Sequence, residues 1–254
     1  MQEEIKKLKK EFERVKSLGW IKQKRKGFTS GGYTFEILLK KDEDQFPLPD
    51  YYGIEIKVMN SHTKTNLHLF NLGPDGEDFF PIKTILEELG MPDKDDKTKK
   101  IFYRSFNAKK YTNIIYGRKG IIKVNRDNER LELLIMDSKD NKSNINIYWS
   151  FKYIEERLNL KLRYLALIRT SSRIIDDIGY YYYHTINFYK LRGFNTFISL
   201  IENGIIDITF KIGYHKSGKR IGEIYDHGTD FSISVNNLYM LYEEIEKSWD
   251  QKVA

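Results

Sequence analysis

Two carboxylates and a lysine stand close together in the first quarter of the chain: Asp50, Glu55 and Lys57. Apolar residues at positions 54, 56 and 58 alternate with Glu55 and Lys57, which is the period-two pattern of a half-buried strand. Glu55 and Lys57 should therefore project from one face, about 7 Å apart at their Cα atoms. Asp50 follows a proline, which favours an extended or turning backbone. Two carboxylates suit Mg²⁺, which takes few protein ligands.

With such a metal, water could attack a phosphodiester while the metal and Lys57 stabilise the developing charge. The alternative is a surface strand whose Glu and Lys are solvated. Two features favour the chemical interpretation. Glu36 lies on a short helix predicted at residues 33–40, on a face that could border the metal. The net charge of +7 indicates a polyanionic partner.

Composition sets the class of protein. The 254 residues suit one large domain or two intimate lobes. Eighteen tyrosines and fifteen phenylalanines argue for an ordered chain. The absence of cysteine excludes disulfides, thiolate metal sites and a thiol nucleophile. We find neither a signal peptide nor an apolar run long enough to span a membrane, so we expect a cytoplasmic protein.

Hydrophobic periodicity predicts a mixed α/β chain. Strands are expected at 54–58, 66–72, 121–124, 131–136, 145–149, 161–168, 180–183, 206–212 and 231–235. Helices are expected at 5–18, 33–40, 81–89, 151–160, 194–201 and 237–249, with a long loop at 214–228. The four tyrosines at 180–183 could stack on bases, but a strand with two rings inward and two outward fits better.

Basic and aromatic side chains in two regions are candidates for DNA contact. Lys24, Arg25 and Lys26 open a glycine-rich loop that could approach phosphates, although a solvated loop is the alternative. His62 lies on a predicted turn from which its ring could reach DNA. The second region offers donors for base edges. Its candidates are Lys211, Tyr214, His215, Lys216, Lys219, Arg220, Tyr225, Asp226, His227 and Thr229. Asp226 and His227 could instead only pin the loop by hydrogen bonds.

Several short motifs, taken in order, resemble the MvaI/BcnI restriction endonucleases, which are relatives of the mismatch-repair nickase MutH. The stretch from Asp50 to Lys57 resembles the PD-(D/E)xK nuclease core. The other matching motifs are Gly19-Trp20, Lys24-Arg25-Lys26-Gly27, Thr34-Phe35-Glu36, Tyr148-Trp149-Ser150-Phe151, Ile201-Glu202-Asn203-Gly204, Gly213 to Lys219, and Asp226-His227-Gly228-Thr229. The resemblance spans nearly the whole chain.

This resemblance implies an α/β fold, with a restriction-endonuclease-like mixed sheet flanked by helices and a second, DNA-recognition lobe. We expect one chain unit over 1–254, a catalytic core in about 1–100, and a contribution to recognition from about 161–236. It implies Mg²⁺, replaceable by Mn²⁺, held by Asp50, Glu55 and the backbone carbonyl of Ile56. Lys57 would assist the attacking water, and Glu36 would support the site.

The resemblance further implies a type II restriction endonuclease that cuts double-stranded DNA at a short C/G-rich pseudosymmetric site. The enzyme would act as a monomer, and a cognate DNA methyltransferase is expected in the same host. Two alternatives stay open. One is a MutH-like nicking enzyme, and the other is a DNA-binding module without catalysis, against which the intact Asp50, Glu55 and Lys57 argue.

Overall fold

The structure is a computed structural model that describes residues 1–27, 29–39, 49–63, 65–75 and 82–246. Its helices are α1 (Gln2–Lys16), α2 (Ser30–Leu38), α3 (Ile82–Leu89), α4 (Phe151–Lys161), α5 (Phe194–Glu202) and α6 (Leu238–Leu241). Its strands are β1 (Ile21–Lys22), β2 (Glu55–Asn60), β3 (Asn66–Asn71), β4 (Met91–Pro92), β5 (Lys100–Phe106), β6 (Thr112–Asn113), β7 (Lys119–Asn125), β8 (Arg130–Met136), β9 (Tyr148–Ser150), β10 (Tyr164–Ile175), β11 (Ile178–Leu191), β12 (Ile206–Tyr214), β13 (Ile224–Asp226), β14 (Asp230–Ser234) and β15 (Tyr242–Glu246).

The chain divides into two compact units. Unit 1 consists of Met1–Lys64, Leu158–Gly193 and Leu241–Ala254, and unit 2 consists of Thr65–Arg157 and Phe194–Met240. Each unit joins segments that are distant in sequence, whereas the expected ranges of about 1–100 and 161–236 are each continuous. The assignment of catalysis and recognition to those ranges stays a prediction.

The sheet of unit 1 has the order β1-β11-β10-β2, and β15 also pairs with β11. Strands β10 and β11 form a long antiparallel hairpin, whereas β2 runs parallel to β10. Helices α1 and α2 bury apolar side chains against one face of this sheet. The members of this core include Ile5, Leu8, Phe12, Val15, Phe35, Ile54, Ile56, Ala166, Ile168, Tyr183 and Phe188.

The alternation in β2 follows from this burial. Ile54 and Ile56 are buried in the core, and each fully buried side chain of this size stabilises the fold by about 1.5–3 kcal/mol. Because successive strand side chains point to opposite faces, Glu55 and Lys57 leave on the other face. The hydrophobic core thus fixes the face on which the candidate catalytic residues lie.

Unit 2 contains two sheets. The larger has the order β3-β14-β12-β5-β4 with β13 beside β12, and the smaller has the order β6-β7-β8-β9. Aromatic rings fill the core of unit 2, as in the stacked pair Phe70 and Phe231, whose ring centroids are 4.9 Å apart. The indole of Trp149 packs beside them and donates a 2.9 Å hydrogen bond from Nε1 to the Leu72 carbonyl.

The mixed α/β class is confirmed, and two expected elements are wrong. The predicted loop at 214–228 contains β13, which pairs with β12. The predicted helix at 237–249 is only the short α6, after which β15 joins β11 as an edge strand; residues 247–249 lie outside the described residues. Among the helices that the structure describes, none has the length and apolar character to cross a membrane.

Candidate active site and DNA-facing region

A tight turn brings Asp50 back to the start of β2. Tyr51 and Ile54 exchange backbone hydrogen bonds of 2.9 and 2.8 Å, which leaves Tyr52 and Gly53 as the two central residues. Both have positive φ, 43° and 87°, as in a type I′ turn, and a glycine at the second position adopts this conformation without strain. The Ile56 N–H then donates a 2.8 Å hydrogen bond to Asp50 Oδ2, which orients the carboxylate.

Glu55 is a buried carboxylate held between two lysines. Its side chain is 2% exposed, and its Oε1 lies 2.7 Å from Lys57 Nζ and 3.5 Å from Lys161 Nζ. Its other oxygen, Oε2, is buried and has no hydrogen-bond partner among the described residues. An unpartnered buried carboxylate oxygen costs free energy, so a bound ligand is expected to supply its partner.

The electrostatics of Glu55 agree with this geometry. Burial raises the pKa of Glu55, and the nearby charge of Asp50 raises it further, although Lys57 and Lys161 oppose the rise. Burial also raises the pKa of Tyr242, on which the Glu55 charge acts in the same direction. Burial thus disfavours the charged form of Glu55, and a cation bound beside Oε2 would stabilise that charge.

The donor set fits a hard divalent cation. Asp50 and Glu55 both supply carboxylate oxygens. Burial raises the pKa of Glu55, and the charge of Asp50 adds to this rise. Glu55 Oε2 lacks a partner in the described part of the chain. Within those same residues, no group of three or more His, Cys, Asp or Glu side chains forms a metal site. Two carboxylates together with further oxygen ligands form a set that Mg²⁺ accepts.

Glu36 lies on α2, which begins at Ser30, three residues before the predicted start. A Cβ added at Gly32 would lie 3.7 Å from Glu36 Oε1. Burial is the larger cause of the raised pKa of Tyr183, and the charge of Glu36 raises that pKa further. The Tyr183 hydroxyl donates a 2.8 Å hydrogen bond to the Gly31 carbonyl. The supporting role of Glu36 at the metal stays a prediction.

The basic loop near the N-terminus is partly tied down. The Arg25 guanidinium lies 4.1 Å from the Tyr33 ring centroid and donates a 2.8 Å hydrogen bond to Thr29 Oγ1. The side chains of Lys24 and Lys26 are exposed, as is His62 on the turn after β2. Their contact with DNA stays a prediction.

In unit 2, three rings form a row along the candidate recognition region. The Tyr225 ring centroid lies 4.3 Å from that of His215 and 4.1 Å from that of His227. Burial lowers the pKa of His227, so its ring is neutral at ordinary pH and offers one donor and one acceptor. Asp226 Oδ1 accepts a 2.8 Å hydrogen bond from the Gly228 N–H, so Asp226 also has the loop-pinning contact that was its alternative role.

Asp230 organises the sheet beside this row. One of its oxygens contacts His68 Nδ1, and the other accepts a 2.7 Å hydrogen bond from Lys211 Nζ. The Lys211 carbonyl in turn accepts a 3.1 Å hydrogen bond from the His227 N–H. Burial alone would raise the pKa of Asp230, but His68 and Lys211 outweigh it and lower the pKa.

The remaining candidates differ in their surroundings. Lys216 Nζ lies 2.5 Å from an Asp95 oxygen, and Arg220 Nε lies 2.7 Å from Glu223 Oε2, so carboxylates already neutralise both cations. Tyr214 lies under Lys99, and Lys219 is exposed. Thr229 is 1% exposed and does not present its side chain to solvent.

Sequence reasoning missed Lys161 and the partnership of His68 with Asp230. Lys161 ends α4, far along the chain from Glu55, and no spacing motif links them. Only the antiparallel pairing of β3 with β14, which places His68 opposite Ser232, brings it to Asp230.

Comparisons with known proteins identify the family. The model of the MvaI/BcnI restriction endonuclease family matches residues 9–242. A solved complex described as "Restriction endonuclease MvaI-cognate DNA substrate complex" is 31% identical, with a TM-score of 0.87 over 96% of this chain and 98% of that one. A structure described as "Restriction endonuclease MvaI in the absence of DNA" has the same identity and coverage with a TM-score of 0.60. A search of curated proteins finds no match. The chain therefore belongs to the MvaI/BcnI restriction endonuclease family and is a site-specific deoxyribonuclease.

Proposed function

We propose that this protein is a Mg²⁺-dependent type II restriction endonuclease that hydrolyses phosphodiester bonds in double-stranded DNA. The observation that carries the proposal is the buried Glu55, whose Oε2 has no partner among the described residues although Asp50 and two lysines surround the carboxylate. A divalent cation completes such a site.

Asp50 and Glu55 would hold the metal, and the backbone carbonyl of Ile56 is a further candidate ligand. When bound, Mg²⁺ supplies Lewis-acid stabilisation of the phosphate charge and makes water a better nucleophile. The turn before β2 and the Ile56 N–H fix the Asp50 carboxylate before substrate arrives, which avoids reorganisation during the reaction.

Lys57 is the candidate catalytic cation. Its Nζ is held 2.7 Å from Glu55 Oε1, and a cation there can stabilise the negative charge that builds up on the phosphate oxygens. Lys161, 3.5 Å from the same oxygen, would act through Glu55 by holding the carboxylate in one orientation. Lys161 is thus a positioning residue in this proposal.

Double-stranded DNA is the proposed partner, supported by the net charge of +7 and by the similar MvaI structure described as a complex with its cognate DNA substrate. From the family resemblance we further propose a short C/G-rich pseudosymmetric site, a monomeric enzyme, a cognate methyltransferase in the same host, and Mn²⁺ as a substitute for Mg²⁺. The row His215, Tyr225 and His227 together with Lys211 would contact base edges.

The test is cleavage of supercoiled plasmid DNA with Mg²⁺, with Ca²⁺ and with a chelator. We expect linear fragments with Mg²⁺ and none with the chelator, and the sequences of the fragment ends give the recognition site. Only open circles would indicate a nicking enzyme, and full cleavage in the chelator would exclude the metal mechanism.

A second measurement does not depend on activity. Mg²⁺ should raise the thermal unfolding midpoint of the wild-type protein, because a ligand that binds only the folded state stabilises it. Glu55→Gln keeps the shape of the side chain but removes its charge, and should abolish this rise. If Mg²⁺ stabilises both proteins equally, Glu55 is not a ligand.

A further inference from the structure

The face of the unit 1 sheet that carries Glu55 and Lys57 continues well beyond them. In the parallel pairing of β2 with β10, Glu55 lies beside Leu165, and Lys57 lies beside Leu167. Every second residue of β10 shares this face, which places Arg169, Ser171 and Arg173 on it, because the extra residue at the register shift, His184, lies in β11. Arg173 is six residues beyond the level of Lys57, or about 20 Å along the strand.

Neighbouring strands add to this surface. Arg173 is directly opposite Tyr180 on β11, and Tyr180 is directly opposite Lys22 on β1, so all three side chains share the face. Because two inter-strand spacings separate them, Lys22 and Arg173 are about 10 Å apart across the sheet. Among the described residues, no carboxylate forms an ion pair with Lys22, Arg169 or Arg173.

Aromatic rings hold the outermost arginine. The Arg173 guanidinium lies 4.1 Å from the ring centroid of Trp20, which is 38% exposed, and 6.0 Å from that of Tyr180. The Trp20 ring packs in turn against Tyr182, at 5.9 Å between centroids. A stacked guanidinium keeps its N–H edge outward, in a fork that matches phosphate oxygens. Because the rings contact each other and Arg173, they are better placed to position this cation than to stack on bases.

We propose that Lys22, Arg169 and Arg173 form a phosphate-binding surface for the duplex that flanks the cleaved site. This flank surface deepens the proposed function and rests on it. Its distance of about 20 Å from the level of Lys57 corresponds to about six base pairs of B-DNA. The side chains that bind there are cations that form no ion pair with a carboxylate among the described residues, and contacts to phosphates read no sequence. Asp176 and Asp177 form the turn of the hairpin beyond Arg173, and their charges limit the surface on that side.

The experiment uses duplexes that contain the recognition site, known from the fragment ends, with flanks of about 3 or about 14 base pairs on both sides. Binding is measured by fluorescence anisotropy with Ca²⁺ in place of Mg²⁺, at several salt concentrations. We expect wild-type protein to bind the long-flank duplex roughly tenfold more tightly. The double variant Lys22→Ala, Arg173→Ala should lose most of this gain, and its salt slope on long flanks should fall by about 1.8, since each phosphate contact contributes about 0.9.

Controls separate this inference from the proposed function. Lys10→Ala removes one exposed charge from α1, which covers the opposite face of the sheet, and should leave the flank gain unchanged. Cleavage of long DNA by the wild-type protein tests the proposed function separately, and its failure would overturn the proposed function instead. Lys22→Glu gives a second measurement if the double variant is unstable, and should reduce the flank gain further than Lys22→Ala alone. If the variants keep the full flank gain and salt slope, or if the wild-type protein shows no gain, the flank surface does not exist.

Discussion

Unit 1 and unit 2 each contain a carboxylate beside basic side chains, but the two carboxylates are satisfied differently. Glu55 in unit 1 shares one oxygen between Lys57 and Lys161, while its other oxygen has no partner among the described residues. Asp230 in unit 2 uses one oxygen for His68 and the other for Lys211. The pKa of Glu55 is raised by burial, whereas the pKa of Asp230 is lowered because its two partners outweigh its burial.

The difference separates a ligand-binding group from a scaffold. A buried oxygen without a partner costs about 1–3 kcal/mol, which a fold tolerates where a bound ion or substrate later completes the site. A carboxylate with both oxygens paired needs nothing further, and its effect is to hold its partners in place. Glu55 is thus suited to bind a metal, and Asp230 is suited to fix Lys211 and His68 beside the candidate recognition row.

The largest expected effect comes from Lys57→Ala. Because the Lys57 cation matters mostly when charge builds up on the phosphate, its loss should lower the single-turnover cleavage rate by about 10²–10³-fold. Affinity should change little, since many other Lys and Arg residues supply the sequence-independent part of binding. Cleavage assays and anisotropy titrations on one site-bearing duplex measure both quantities.

The matched control for Lys57→Ala lies in unit 2. His227→Ala should reduce discrimination between the true site and other duplexes by the equivalent of about 1–3 kcal/mol, with an unchanged salt slope. An unchanged unfolding midpoint would separate base reading from a loop-pinning role. The proposed division between the two units fails if Lys57→Ala abolishes binding while His227→Ala keeps wild-type site preference.

A smaller effect is expected from Lys161→Ala. Loss of this contact with Glu55 should lower the cleavage rate roughly tenfold, close to the ~1.5 kcal/mol of a weak charge-assisted hydrogen bond, and should raise the Mg²⁺ concentration needed for half-maximal activity. Lys161→Arg keeps the charge and should recover most of the rate, while Lys152→Ala, exposed on the same helix, should have no effect. An unchanged Mg²⁺ dependence in Lys161→Ala would show that Lys161 does not position Glu55.

Local sequence patterns predicted the parts of the site that lie close together in the chain. The alternation around Glu55 and Lys57 is set by burial of Ile54 and Ile56, so it is visible in the sequence. Lys161 could not be predicted, because its approach to Glu55 depends on where α4 ends relative to the β10–β2 pairing. The strand β15 was mistaken for a continued helix because pairing with β11, rather than local propensity, determines its conformation.

The smallest expected effect concerns the pH-dependent stability that Asp230 provides. Its pKa in the folded protein lies below its ordinary value of 3.8, so the charged carboxylate stabilises the fold. This contribution is present above the unfolded-state pKa and is lost as pH falls through the folded-state pKa. Asp230→Asn should therefore lower the free energy of unfolding at neutral pH, and the difference from wild type should shrink below pH 3.8.

Urea unfolding between neutral pH and acid measures this difference directly. Lys211→Gln retains the carboxylate but removes one of its two partners, so it should show the same pH dependence with a smaller amplitude. If Asp230→Asn destabilises the protein equally at all pH values, then packing rather than the charge of Asp230 is responsible. In that case the ion-paired charge of Asp230 would not be what distinguishes it from Glu55. The contrast between a scaffold carboxylate and a ligand-binding carboxylate would then rest on the unpartnered Glu55 oxygen alone.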